Sequence, residues 1–301
     1  MTATATLRIG TRGSRLALAQ ASIAAEALRP LSDRAELVPI TTRGDTISAR
    51  QPHGRWVETD GQFTRELERA LLEGRVDLVV HSFKDLPTEP AEDLVIGAVL
   101  ERADARDCLL TRDGGGLDAL PFGGRIATSS PRRAAQLAAA RSDLIAMPIR
   151  GNVESRLRRL EAGEFDGLIL AAAGLDRLGV DVPASARLPY EVMLPAPAQG
   201  ALALQVRASD SALLGLLAGV DHLPTRVAVE AERRLLRRIG GGCLAPLGAL
   251  GEVTGDRLRL RAAYEDPTGE QIRADAAGSM ADPDAVVADV ATTIERAAMP
   301  R

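Results

Sequence analysis

Short apolar runs and longer amphipathic stretches take turns along the first half of the chain. Residues 6–11 (TLRIGT) read as a strand, after which Ser14 caps an Ala/Leu-rich helix that runs to about Arg29 and stops at Pro30. Residues 35–42 (AELVPITT) form a second strand. The polar stretch 43–61 shows no periodicity, and its length makes it a candidate lid. The segment 63–73 (FTRELERALLE) places apolar residues at 63, 67, 71 and 72, a helical stripe that ends at Gly74. Residues 76–81 (VDLVVH) and 94–100 (LVIGAVL) read as strands. A second unit repeats the alternation, with strands at 125–129, 143–149 and 167–171 and helices that start near Pro131 and Asn152. Residues 184–200, with Pro189, Pro195 and Pro197, form an extended connector, and 201–206 (ALALQV) is one more strand. From Leu223 the character changes: an Arg-rich helix to Ile239, the loop Gly240-Gly241-Gly242-Cys243, a hairpin-like region at 257–272 and a last helix near 283–297. Strands alternating with helices predict right-handed βαβ units and mostly parallel sheets, here in two α/β domains followed by a small α+β domain.

A length of 301 residues accommodates that plan. With 46% hydrophobic and 26% charged residues, the chain has the composition of a globular protein. No apolar run reaches the roughly 18–20 residues of a membrane span. The N-terminus lacks a basic head followed by an apolar stretch, so a cytoplasmic location is expected. Two cysteines outside any CxxC and three histidines give no basis for a disulfide framework or a zinc site, so no metal is expected. Four Phe, two Tyr and one Trp do not make a stacking platform for single-stranded nucleic acid. Of 37 basic residues all but Lys84 are arginine, which singles out Lys84 as a position where a compact ammonium is used instead of a planar fork.

In open α/β sheets ligands bind beyond the carboxyl ends of the strands. Those positions hold Arg12 and Ser14 after the first strand, then Ser82, Lys84 and Asp85 after the 76–81 strand. In the second unit they hold Thr128, Ser129, Ser130, Arg132 and Arg133, then Arg150 and, one helical turn on, Arg156. Hydroxyls and cations at four strand ends predict an anion-binding cleft. Ser130 as N-cap with Pro131 at the first helical position aims backbone N–H groups at an anion, and the arginine forks suit carboxylates. Asp85 is the one acid of the set, able to neutralise a developing cation or move a proton. His81 reads as a packed residue rather than a base. Cys108 reads as a buried inert thiol, whereas Cys243, behind three glycines, is sterically open to covalent chemistry. The pairs Arg233-Arg234 and Arg237-Arg238 read as surface charge offset by Glu230 and Glu232.

The blocks LRIGTRGSRLALAQ, TRGD, VHSFKDLPT, IATSSPRR, IRGNVESRL, LAAAGLDRLG, LPAPAQGALAL and GGCLAPLGA, in this order from residue 7 to about 250, resemble the porphobilinogen deaminase family. The resemblance implies three domains: 1–100 with 201–218, 106–195, and 223–301. The first two would be lobes of the doubly wound, periplasmic-binding-protein-like kind around a cleft. It implies a dipyrromethane cofactor attached by a thioether to Cys243, onto which four porphobilinogen units are joined head to tail with loss of ammonia. Hydrolysis then releases hydroxymethylbilane. Asp85 would stabilise the pyrrole cations and manage their protons. Arg12, Ser14, Ser82, Lys84, Thr128, Ser129, Ser130, Arg132, Arg133, Arg150, Arg156 and Arg177 would bind cofactor and substrate carboxylates, with Gln199 lining the same region. A monomer is expected, passing its product to the next enzyme of tetrapyrrole biosynthesis and binding neither nucleic acid nor membrane.

The sequence departs from the family pattern in places. The segment 57–62 has no lysine where a Gly-Gly-Lys-Gly run is common, Ser155 stands where threonine is common, and Gln205 stands where an acid is frequent. The competing reading is a pure anion-binding module or regulator effector domain. That reading gives the GGGC loop no purpose, and colour with an acidic aldehyde reagent would separate the two.

Overall fold

The structure, a computed structural model, describes residues 6–32, 34–42, 64–89, 91–240 and 245–298. The chain divides into two compact units, 1–102 with 201–226 and 103–200 with 227–301.

The first unit is built on a five-stranded sheet. Its strands are β1 (Leu7–Arg12), β2 (Ala35–Ile40), β3 (Leu78–Ser82), β4 (Leu94–Val99) and β9 (Leu202–Arg207), in the order β2-β1-β3-β9-β4. β1 pairs in parallel with β2 and β3, while β9 runs antiparallel to both β3 and β4. The burial of each strand follows its place. The central strands β3 and β9 are buried almost throughout and read as near-continuous apolar runs, whereas the edge strand β2 is exposed or half-buried along its length. Helices α1 (Arg15–Leu28) and α2 (Arg65–Leu72) cover the sheet. Ser14 caps α1 as expected, its hydroxyl accepting from the Ala17 N–H. In α2 the buried face is Leu67, Ala70 and Leu71; Leu72, expected in the stripe, is 51% exposed. One residue past Leu71 the helix has turned by about 100°, out of the contact face. The expected strand at 94–100 carries a β-bulge between Ile96 and Ala98. The segment expected as a lid, 43–61, and Phe63 lie outside the described residues.

The second unit holds two sheets. Strands β5 (Asp107–Leu110), β6 (Arg125–Ala127), β7 (Ile145–Met147) and β8 (Gly167–Ala171) form one, ordered β5-β8-β6-β7 with only β5 antiparallel. Helices α3 (Pro131–Ala140), α4 (Val153–Glu161) and α5 (Ala172–Arg177) follow β6, β7 and β8. The caps named from sequence are in place: Ser130 Oγ accepts from the Arg133 N–H, and Asn152 Oδ1 from the Ser155 N–H. Gly151 has φ 108°, and a Cβ there would come 2.2 Å from Ser155 Oγ, so the turn between β7 and α4 requires glycine. The connector 184–200 is irregular apart from one short 3-10 turn, yet Met193, Leu194 and Ala198 on it are buried.

The second sheet is antiparallel, β10-β11-β12 (Leu247–Thr254, Arg257–Glu265, Gln271–Ser279), so the hairpin expected at 257–272 is two strands of three. Its inward face, with Leu258 and Leu260 alternating against outward Arg257 and Arg259, packs on Ala231 and Leu235 of α7 (Leu223–Arg238) and on Val290 and Ile294 of α8 (Pro283–Ala297). Glu232 does not offset the surface arginines. It is fully buried, and its carboxylate accepts from the backbone N–H groups of Ala198 (2.6 Å) and Gly251 (2.7 Å). Helix α6 (Ser211–Leu217), which the sequence pattern did not announce, packs Leu213 and Leu217 into the first unit's core. Among the described residues no helix is long and apolar enough to cross a membrane.

Candidate functional site

In the first unit β1 and β3 lie side by side in parallel, so their carboxyl ends deliver Arg12 and Ser82 to the same edge. A 3-10 turn, Phe83–Asp85, follows β3 directly; it buries Phe83, leaves Lys84 half-buried and brings Asp85 out exposed. A cavity of about 70 Å³ at this edge is lined by Arg12, Ser14, Gln20, His81, Ser82 and Asp85, among others. Gln20 was not picked out from the sequence. Its side chain, 6% exposed, donates to Ser82 Oγ at 2.9 Å and so ties α1 to the end of β3. His81 is buried, and its ring accordingly holds as a packed group: burial pushes its pKa down to about 4, with Arg12 adding to the effect and a hydrogen bond to Gln205 opposing it.

The second unit's cluster is different in kind. Ser129 bridges two strand ends, its hydroxyl donating to the Ile149 carbonyl at 2.7 Å while accepting from the Ile149 N–H at 2.8 Å. Thr128 is buried, and its hydroxyl accepts from the Ser130 N–H. Arg132 and Arg133 are not solvated forks at a helix end. They are 3% and 8% exposed, and both pair with Asp107, which is fully buried at the start of β5: Arg132 Nη1 lies 2.8 Å from Oδ2 and Arg133 Nη2 2.7 Å from Oδ1. Arg132 also donates to the Leu194 carbonyl (2.7 Å) and Arg133 to the Ile169 carbonyl (2.9 Å). Gln199, 1% exposed, donates to Asp107 Oδ1 at 2.9 Å and to the Ala105 carbonyl at 2.8 Å. Asp107 is thus the hub, and the sequence reading missed it. Burial raises its carboxyl pKa, but Arg132 and Arg133 outweigh that and hold it below the usual range.

Two features show that this cluster is not complete within itself. One carboxylate, Asp107, serves two guanidinium groups, whose buried Nε–H groups make no hydrogen bond among the described residues, as is also true of Asp107 Oδ2 despite its ion-pair distance to Arg132. Nearby on α4, Arg156 donates through Nε to the Gly151 carbonyl (2.8 Å), and its pKa is pushed down to about 10 by burial, then by Arg133 and Arg159, with no acid among the influences on it. Arg177 at the end of α5 donates to the Gly200 carbonyl (2.6 Å) and is likewise pushed down to about 10, by burial, Asp176 opposing. Partly or fully buried cations that outnumber the carboxylates beside them are what a polyanionic ligand satisfies. Arg150 is half-buried at the turn before α4. Cys108 in β5 is fully buried and its thiol is pushed up to about 11 by burial, as an inert residue would be. Cys243 lies outside the described residues.

The fold and these clusters define an α/β protein in which two units each bring cations and hydroxyls to the strand ends, with one carboxylate, Asp85, among those of the first. The chain belongs to the porphobilinogen deaminase family. Residues 7–215 match the family model described as "Porphobilinogen deaminase, dipyromethane cofactor binding domain", and residues 227–296 match "Porphobilinogen deaminase, C-terminal domain". The porphobilinogen deaminase of Desulforudis audaxviator is 48% identical over 92% of this chain and 90% of its own length. That of Acidothermus cellulolyticus is 50% identical over 87% and 80%. Among solved structures, a periplasmic substrate-binding protein of an ABC transporter from Coxiella burnetii superposes with a TM-score of 0.45 at 15% identity, covering 76% of this chain and 97% of its own.

Proposed function

We propose that the strand-end clusters of both units bind the carboxylates of the dipyrromethane cofactor and of the pyrroles added to it, and that Asp85 handles the charge and the proton of each joining step. As a member of its family the chain is a transferase that joins four porphobilinogen molecules head to tail, with loss of ammonia, and delivers hydroxymethylbilane. The cofactor, when bound, supplies the pyrrole carbon to which the first unit is joined. Every pyrrole of substrate and cofactor carries an acetate and a propionate, so the ligand gains negative charge as it grows. Arg132, Arg156 and Arg177 match that ligand, because burial lowers their pKa values despite any acid near them, and Arg133 stands beside them sharing Asp107 with Arg132. Arg150, Lys84 and Arg12 add cations, and Ser14, Ser82, Thr128 and Ser130 add hydroxyls beside helix starts; Ser129, expected among them, gives its one O–H to the Ile149 carbonyl and braces the two strand ends instead. Gln199 serves by holding Asp107, not by touching the ligand.

Asp85 is exposed at the cavity edge, free of the arginine network that immobilises Asp107. A carboxylate so placed can face a pyrrole that has taken up positive charge and accept its proton. The observation that carries the reading is the excess of cations over acids at the second unit's strand ends: Asp107 alone faces Arg132 and Arg133, and no acid is among the influences on Arg156. Cys243 is the attachment point in this proposal, and the domains are 1–100 with 201–218, 106–195 and 223–301. The protein would act as a monomer in the cytoplasm and pass its product directly on. Intact-protein mass spectrometry tests the core of it: the chain from cells that make porphobilinogen carries the mass of one dipyrromethane, and Cys243→Ala loses it. A native mass equal to the bare chain would refute the attachment.

A further inference from the structure

One buried polar chain in the first unit has no part in the reaction as described. In the antiparallel pairing of β3 and β9, Val79 stands opposite Gln205 and His81 opposite Ala203, which makes His81 and Gln205 diagonal neighbours on one face of the sheet. Both are buried. His81 Nε2 lies 2.9 Å from Gln205 Oε1, and Gln205 Nε2 reaches Glu68 Oε1 on α2 at 3.4 Å. The direction of this chain is set from its far end. Carboxylate oxygens accept, so Gln205 turns its NH2 group to Glu68 and its carbonyl oxygen to His81. That oxygen can only accept, so the proton of the neutral ring sits on Nε2 and Nδ1 keeps its lone pair. The same ring lines the cavity that holds Arg12, Ser82 and Asp85.

The charged groups set around His81 are Arg12 at the end of β1, Lys84 and Asp85 in the turn after β3, and Glu68 beyond Gln205 on α2. An amide between His81 and Glu68 transmits a hydrogen bond but brings no charge into contact with the ring. A carboxylate at 205 would do the opposite, pairing with an imidazolium and so placing a second cation beside Arg12.

We propose that Gln205 is a positioning residue for the chemistry at Asp85: it locks His81 as the neutral Nε2–H tautomer and thereby keeps an extra cation out of the cavity where Asp85 meets a positively charged pyrrole. This rests on the role given to Asp85 above. The amide is the insulating link of the chain.

Nitrogen-15 NMR of the histidine rings in the full-length, cofactor-loaded protein tests the lock without any turnover. The chain has three histidines, and His53→Gln and His222→Gln variants assign the spectrum. The expected wild-type result is one His81 tautomer, protonated at Nε2, with no imidazolium down to about pH 5. Glu68→Gln, on a half-buried helix position, frees the amide to turn and should give a mixture of tautomers. Gln205→Glu should raise the His81 titration midpoint by at least about one pH unit. It should also give the kcat profile an acid limb, with turnover falling below that midpoint, that the wild type lacks. A wild-type ring protonated at Nδ1, or titrating near its ordinary value, would overturn the lock whatever Asp85 does. A raised midpoint in Gln205→Glu with an unchanged kcat profile would overturn the link to the reaction. If Gln205→Glu does not fold, the wild-type and Glu68→Gln spectra still decide the tautomer.

Discussion

The two strand-end clusters hold their charge in opposite ways. In the first unit the candidate groups stand at an edge with shallow support. Ser14 is a helix cap, Ser82 leans on Gln20, and Asp85 projects from a 3-10 turn into solvent. In the second unit Arg132 and Arg133 are inside the protein, and Asp107 is fully buried between their guanidinium groups. On the function proposed above, Asp85 exchanges protons with successive substrates, and such a group works best where hydration is available and its surroundings can adjust. A group that must only attract is better held rigid and dry, where each unit of charge counts for more. The same substitution type should therefore read out as lost rate in one unit and lost stability in the other.

The largest effect expected is on stability. Asp107→Asn leaves Arg132 and Arg133 buried without a countercharge, which should cost about 3–5 kcal/mol in denaturant unfolding. A loss below about 1 kcal/mol would show that the pair is solvated and erase the contrast. Next, Asp85→Asn should unfold like the wild type but turn over roughly 10²–10³ more slowly in single-turnover assays on cofactor-loaded protein, the scale of a lost electrostatic contact. Asp85→Glu should keep part of the activity. Near-normal turnover in the Asn variant would move the proton-handling role elsewhere. Arg156→Leu lies between the extremes. It removes a desolvated cation that lacks an acid partner among the described residues, so the fold should survive while ligand binding weakens by about 1.5–3 kcal/mol, read as incomplete cofactor loading.

The smallest effect sharpens the comparison through pH. His81 is held below its unfolded value, so the folded protein binds the proton less well than the unfolded chain does. Its contribution is complete above about pH 6.5 and is lost as pH falls toward 4, about 2 kcal/mol of it by pH 5. His81→Gln should flatten that part of the stability curve; an unchanged slope would assign the acid sensitivity to other groups.

Local chemistry was legible in the sequence where its cause is local. Ser14, Ser130 and Asn152 each cap the helix that begins one residue later, and the cap needs nothing beyond that turn. The strand ends followed from periodicity, and with them nearly all of the cation and hydroxyl positions. Asp107 was not legible, because its neighbours Arg106 and Cys108 say nothing of Arg132 and Arg133, 25 and 26 residues on, and only the pairing of β5 with β8 makes its position an interior one. In sequence Arg132 and Arg133 therefore look like open forks, whereas half of their charge is already met inside the protein by Asp107. Glu232 misled for the same reason: its partners, the N–H groups of Ala198 and Gly251, belong to distant backbone. Leu72 shows the converse, an apolar residue that joins a stripe by counting but not by geometry.

β9 is an interior strand of the first unit's sheet, between β3 and β4, yet it is made only after the chain has laid down every strand of the β5–β8 sheet. On the ribosome, β3 and β4 emerge with no partner between them, and the strand that belongs there follows about a hundred residues later. Closing so long a loop delays the sheet, since its entropy must be met before any ladder bond rewards it. Meanwhile the β5–β8 sheet can assemble from contiguous sequence. Synthesis therefore completes the β5–β8 sheet first and the sheet that bears Asp85 second, before the rest of the second unit (227–301) is made. A nascent chain released at residue 102 should be a sticky fragment with two apolar strand edges, whereas one released after residue 226 should hold that sheet closed.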